Sequence, residues 1–154
     1  MCYNESNRGG MQMLLRVQKC REEAILPTYA HEDDAGMDLY AAQDVTIAPG
    51  EWAQIATGIA LQLPPGYEAQ VRPRSGLALR YGVTMLNAPG TIDAGYRGEI
   101  CALMINHGRA PFHVHVGDRI AQLVVASLVK VSLQECDELT SSDRGKGGFG
   151  SSGR

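Results

Sequence analysis

Glycine and proline punctuate this chain along its whole length, eighteen of the first and seven of the second, and no other feature restricts its fold as strongly. An interior glycine costs a helix about 1 kcal/mol relative to alanine and an interior proline about 3 kcal/mol. Both are favoured in turns, glycine because it accepts positive φ and proline because its φ is preset. The apolar residues are therefore confined to short runs bounded by turn signals, the pattern of strands. At 154 residues and 44% apolar content, the chain has the size of one ordinary domain and enough material for one core. The expectation is a single all-β domain.

Leu14-Leu15-Arg16-Val17-Gln18 reads as a first strand, and residues 45–57 read as two strands separated by Pro49-Gly50. Residues 59–63 run into Pro64-Pro65-Gly66, residues 67–71 alternate, residues 99–106 are nearly continuous apolar strand, and residues 119–128 follow Gly117-Asp118. Only Ser75-Gly76-Leu77-Ala78-Leu79-Arg80-Tyr81-Gly82 reads as helical, with Ser75 as N-cap and Gly82 as terminator. Many short strands and one short helix, with no internal repeat, predict a jelly-roll-like barrel or sandwich. Residues 1–10 read as a disordered extension, with Met11 or Met13 as an alternative start, and residues 11–139 as the β domain. From Thr140 the composition turns to Ser, Gly, Arg and Lys, a flexible C-terminal arm over 140–154 that cannot fold alone.

A net charge of −3 gives no general attraction to nucleic acid or anionic membrane, so phosphate binding must come from locally clustered arginines and backbone amides. A small partner is expected rather than a polymer. Cys2, Cys20, Cys101 and Cys136 form no Cys-x-x-Cys pair, which argues against a zinc knuckle and a disulfide framework. No run approaches the roughly 20 apolar residues of a membrane span, and the polar first ten residues do not resemble a secretory signal. A cytoplasmic protein with reduced thiols is the simplest expectation.

The densest chemistry lies in Asn87-Ala88-Pro89-Gly90-Thr91-Ile92-Asp93-Ala94-Gly95-Tyr96-Arg97-Gly98-Glu99. It reads either as a ligand-gripping hairpin that holds Asp93 on a bent backbone or as a surface turn stabilised by its own aspartate. Arg72-Pro73-Arg74-Ser75-Gly76 sets a guanidinium and a hydroxyl where a strand hands over to a helix. That is a phosphate seat or an ordinary serine cap, and Arg74 is the better choice of the two arginines. Asp33, Asp34 and Asp38 offer hard oxygen ligands suited to Mg²⁺, or form a solvated loop. Arg144-Gly145-Lys146-Gly147-Gly148-Phe149-Gly150-Ser151-Ser152-Gly153 joins cations, hydroxyls and glycines around one aromatic ring. It is no P-loop, and its alternatives are a flexible tail and an RNA-binding Arg-Gly segment. His113 and His115 would share a strand face, but without a third ligand they read as a plain strand pair. Cys101 reads as core, with no base or cation beside it in sequence.

Five of these fragments, in order, resemble the motifs of the trimeric deoxyuridine triphosphate nucleotidohydrolase (dUTPase) family. They are Asp34-Ala35-Gly36-Met37-Asp38-Leu39-Tyr40, Pro73-Arg74-Ser75-Gly76-Leu77-Ala78, residues 87–99, Gly117-Asp118-Arg119-Ile120-Ala121-Gln122-Leu123 and the glycine-rich tail. The resemblance implies a jelly-roll homotrimer with shared active sites that hydrolyses dUTP to dUMP and pyrophosphate with Mg²⁺. Such an enzyme limits uracil in DNA and supplies dUMP for thymidylate synthesis. It also implies no direct nucleic-acid partner and no membrane.

By the same resemblance Asp93 is the general base that deprotonates a water for attack on the α-phosphorus, and Asp38 holds Mg²⁺ through water. Arg74, Ser75, Gly76 and Gln122 grip phosphates. Asn87, Gly90 and Thr91 with the backbone near Cys101 meet uracil and its sugar, and Tyr96 presses on the deoxyribose at C2′, where a ribose hydroxyl would be buried unpaired. Arg144, Ser151 and Ser152 meet the terminal phosphate, Phe149 covers the base, and Gly150 beside them also binds substrate. Two alternatives stand beside this reading. A dCTP deaminase or bifunctional deaminase–dUTPase would need a glutamate, for which Glu99 is the nearby candidate, and a regulatory module would bind nucleotide without turnover.

Overall fold

The computed structural model describes residues 13–148. Its elements are strands β1 (Arg16–Lys19), β2 (Met37–Tyr40), β3 (Val45–Ile47), β4 (Trp52–Ala56), β5 (Ile59–Gln62) and β6 (Tyr67–Arg72), helix α1 (Ser75–Tyr81), and strands β7 (Val83–Met85), β8 (Gly90–Ile92), β9 (Cys101–Asn106), β10 (Phe112–Val114) and β11 (Arg119–Ser127). The all-β jelly-roll expectation holds, with α1 the one helix among the described residues. Gly50, Gly66 and Gly117, which the sequence marks as turns, all take positive φ.

All strand pairs are antiparallel. A four-stranded sheet runs β2-β11-β6-β8 and a three-stranded sheet β4-β9-β7, with the pairs β1-β5 and β3-β10 beside them. Leu39, Val71 and Leu123 from the first sheet and Ile55, Val83 and Met104 from the second are buried in one core. Strand β9 alternates half-buried and buried along its length, the period expected of a strand with one face inward.

Asn106 is one of three buried polar residues among those described, with Asp38 and Thr57. Its Nδ2 donates to Ile47 O and Ala110 O, both at 2.9 Å, and its Oδ1 accepts Gly108 N–H at 2.9 Å. One amide thereby ties β3, β9 and the turn before β10. Asn106→Ala would orphan all three backbone groups, and we expect a loss of about 3 kcal/mol, since a buried unpaired polar group costs roughly 1–3 kcal/mol. Urea unfolding followed by circular dichroism checks this, and an unshifted midpoint would remove the amide from the fold's supports.

Three expectations need correction. Strands β2, β7 and β10 are too short and too interrupted to read as runs. Ser75 does not cap α1: Arg74 is the N-cap, with extended backbone and no side-chain cap bond, so Ser75 is the first helical residue. Residues 87–99 are not a hairpin. β8 pairs with β6, whereas the next strand, β9, joins the other sheet, so residues 93–100 cross from one sheet to the other. Turn residues mark where a chain bends but not which strand it meets afterwards. Among the described residues, no helix is long and apolar enough to cross a membrane.

Candidate active site

Antiparallel register builds one half of the site. Asp38 on β2 faces Gln122 on β11, and Gln122 faces Arg72 on β6, so the three form a row across the sheet on one face. Arg72 is exposed and turned back onto Gln70 Oε1, at 2.9 and 2.6 Å. Arg74, two residues on, is half-buried, with Nε 3.2 Å from Asp38 Oδ1 and Nη1 donating to Arg119 O at 3.1 Å. Arg119 Nη1 donates to Asp38 Oδ2 at 3.2 Å. Strict alternation would put Arg119 and Gln122, three residues apart, on opposite faces. A register shift between Arg119 and Ala121 supplies the extra residue that brings both to Asp38's side, a common use of a β-bulge near a site.

Asp38 is only 4% exposed, and a carboxylate so buried requires charged partners. Two guanidiniums around one carboxylate leave a net positive cluster, suited to phosphate. The sequence offered three aspartates of this segment as metal ligands, and the fold separates them. Asp33 is exposed, and Asp34 Oδ2 accepts His31 N–H at 2.9 Å within its own turn. Asp38 goes inward because it lies on β2. Among the described residues, no three His, Cys, Asp or Glu side chains gather as a metal cage. Asp38 Oδ1 is buried and, although Arg74 Nε lies 3.2 Å away, accepts no well-aligned hydrogen bond. That one oxygen fits a metal-bound water, the outer-shell mode natural to Mg²⁺, which keeps several waters and takes its remaining ligands from substrate phosphates. Ser75 is exposed and Gly76 half-buried at the start of α1, next in sequence to this cluster.

The other half lies in the crossover. β8 leaves β6 at the Ile92–Ala69 pair, Asp93 follows, and Tyr96 N–H donates to Asp93 O at 3.0 Å. Arg97 Nη1 fastens the bend through Ala94 O at 2.7 Å and Tyr96 O at 2.8 Å. An open pocket of about 340 Å³ is lined here by Thr91, Asp93, Tyr96, Cys101 and Leu103, among others. Cys101, expected as core, is half-buried on that wall. A larger groove of about 750 Å³ also touches Asp93 and is lined by Tyr67, whereas Tyr96 and Cys101 line the smaller pocket. Asn87 and Gly90 are outside this lining. Asn87 Nδ2 would be 3.4 Å from a Cβ on Gly90, and Gly90 pairs with Val71 at the far end of β8.

Glu99 borders the pocket but is already committed. Its oxygens accept Arg21 Nε at 2.7 Å and Nη2 at 3.1 Å, and Oε1 also accepts Gly58 N–H at 2.8 Å. The Arg21 hydrogen bond, foremost, holds the Glu99 carboxyl below its ordinary value, against partial burial and with help from the Gly58 amide. An ionised, fully occupied carboxylate is a poor proton shuttle for a cytosine ring, which disfavours the deaminase reading.

The two halves stand toward different ends of β6. Arg72 and Ala69, which mark their ends on β6, are three residues and about 10 Å apart, with Arg74 beyond one and Asp93 beyond the other. Arg144 makes a local bond, Nε to Gly147 O at 3.0 Å. Phe149, Gly150, Ser151 and Ser152 lie outside the described residues. His113, on β10, bonds to Thr46 Oγ1 at 2.9 Å, and His115, just past the end of that strand and so not its strand partner as expected, is 3.9 Å from Asp44.

The dUTPase family model matches residues 22–153. The chain belongs to the dUTPase family. It is 56% identical over 140 residues to the deoxyuridine 5'-triphosphate nucleotidohydrolase of Clostridium tetani, covering 91% of this chain and 97% of that protein. Its fold matches the Staphylococcus bacteriophage 80alpha dUTPase with dUpNHpp at TM-score 0.87 and 29% identity, covering 93% and 100% of the two chains. A mutant dUTPase from phage phi11 of S. aureus, whose structure reveals coordination of a structural Mg(II) ion, matches at TM-score 0.77 and 26% identity, covering 82% and 98%. Within this dUTPase frame, sequence reasoning gave no role to Arg119, Arg97 or Arg21. Arg119 stood inside a quoted motif, and only its bulge reveals its partner. Arg21 meets Glu99 across 78 positions, and no local pattern signals that.

Proposed function

We propose that this chain hydrolyses dUTP to dUMP and pyrophosphate in the cytoplasm, with Mg²⁺. The observation that carries the reading is the pocket in which Asp93, Thr91, Tyr96 and Cys101 line one cavity, a carboxylate and an aromatic ring sharing one recess. Asp93 acts as general base: it orients a water toward the α-phosphorus and takes its proton as the P–O bond to the leaving pyrophosphate breaks. Proton removal by a positioned carboxylate contributes about 10²–10⁴-fold. Tyr96 lies against the deoxyribose and leaves a 2′-hydroxyl without a partner. The backbone near Cys101 and Gly90, with Asn87, reads uracil.

Arg74, Gln122 and the start of α1 at Ser75 and Gly76 receive the phosphates. Asp38 Oδ1 would hold Mg²⁺ through a bound water, and the ion would supply positive charge to the phosphates. The separation of the two halves along β6 supports a homotrimer whose sites take the cationic cluster from one copy and the pocket from another. The arm of residues 140–154 closes over the bound nucleotide, with Arg144, Ser151 and Ser152 toward the terminal phosphate, Phe149 on the base and Gly150 also binding substrate.

Incubation with Mg²⁺ and each of dUTP, dCTP, dTTP and UTP, with pyrophosphate followed, tests the reading. We expect turnover of dUTP alone, lost on chelation of the metal. Ammonia released from dCTP would reinstate the deaminase, and tight dUTP binding without pyrophosphate would mark a regulatory module.

A further inference from the structure

Three segments distant in sequence are laced together behind the pocket. Cys20 N–H donates to Gly58 O at 2.7 Å, Gly58 N–H donates to Glu99 Oε1, and Arg21 grips both Glu99 oxygens. Gly58 sits at φ +72, and a Cβ there would stand 2.7 Å from the Ala24 Cβ. Both the backbone conformation and the space therefore require glycine. On the neighbouring residue, Thr57 Oγ1 donates to Ile100 O at 2.6 Å and Ile100 N–H donates to Ile59 O at 2.8 Å. Residues 99 and 100 are thus fastened by both backbone and side chain.

What they carry is the ring. Tyr96 O–H donates to Glu99 O at 3.0 Å, and the ring folds back over Gly98, where a Cβ would come within 2.6 Å of Tyr96 Cζ. We propose that Arg21 and Glu99 are positioning residues for sugar discrimination: their two-point pair fixes the carbonyl that holds the Tyr96 phenol, and so fixes where the ring meets C2′. This rests on the reading of Tyr96 as the deoxyribose gauge.

The Arg21 side chain is 42% exposed, and pairs so open to water add little to global stability. Two parallel N–H···O bonds nevertheless set orientation as a single contact does not. The brace is therefore expected to act on where the ring sits far more than on whether the chain folds.

Arg21→Ala, Arg21→Lys and Glu99→Gln in the full chain, assayed with Mg²⁺ on dUTP and UTP alongside thermal melts, test the proposal. A ring displaced by a fraction of an ångström is expected to lower the ratio of kcat/KM for dUTP over UTP about tenfold in Arg21→Ala and Glu99→Gln, since misplacement by 1 Å costs about 10²-fold. The melting midpoint should stay near that of the unsubstituted protein. Arg21→Lys, which keeps the charge but loses the planar fork, should recover part of the ratio. A ratio unchanged in both Arg21→Ala and Glu99→Gln, or one that falls only in step with the melting midpoint, overturns the proposal. An unsubstituted protein that turns over dUTP and UTP alike would instead overturn Tyr96 as the gauge, and the brace's role with it.

Discussion

Asp93→Asn is expected to lower kcat on dUTP about 10³-fold, within the range of about 10²–10⁴ that a positioned general base supplies. The asparagine keeps the shape and polarity of the side chain but cannot take a proton from water. The fold should not register the change, because Asp93 is exposed and its backbone carbonyl, not its carboxylate, holds the bend by accepting Tyr96 N–H. Nucleotide affinity should survive for the same reason. Single-turnover pyrophosphate release, with a non-hydrolysable analogue titrated in parallel, separates chemistry from binding. Turnover retained in Asp93→Asn would sink the assignment of the base.

Removal of residues from Arg144 onward is expected to cost about 10²-fold in kcat/KM, the scale on which orientation and closure act, while leaving the body of the protein folded. Arg144 bonds locally to Gly147, and the side chains of residues 129–146 are exposed, so the described part of the arm supports no core contact. A polar segment that orders only on its ligand gives up entropy at that moment and recovers it through phosphate and base contacts. Kinetics and a thermal melt of the truncated chain decide the point. Full activity would refute the lid, whereas loss of folding would show that the arm belongs to the body.

Much of the architecture was legible because turns are local. Pro49-Gly50 separates β3 from β4, Pro64-Pro65-Gly66 separates β5 from β6, and Gly117-Asp118 precedes β11, each where backbone chemistry alone demands a bend. Strands β7 and β10, three residues each, carry too few residues to show alternation, and β3, equally short, was legible only through the Pro49-Gly50 turn that follows it. Pairing was not legible at all. Residues 87–99 carry two turn signals and look like a hairpin, yet β8 and β9 join different sheets, because partner choice depends on burial across the whole domain.

The site divided in the same way. Asp93 and Tyr96 were visible as chemistry within one short segment, and the five motifs in order pointed to the family. The surroundings of Asp38 were not visible, since they depend on a bulge at Ile120 and on which face of β2 turns inward. Nor was Arg21, whose partner Glu99 comes near only after the segments between have folded.

The buried Asp38 has a consequence for how the enzyme begins each cycle. Two unit positive charges about 4 Å apart repel by roughly 4 kcal/mol at the effective dielectric of a partly buried site, so Arg74 and Arg119 converging alone would spread into water. With Asp38 between them, they keep a resident counterion that does not leave when product does. The two guanidiniums are thus held together with no bound anion present.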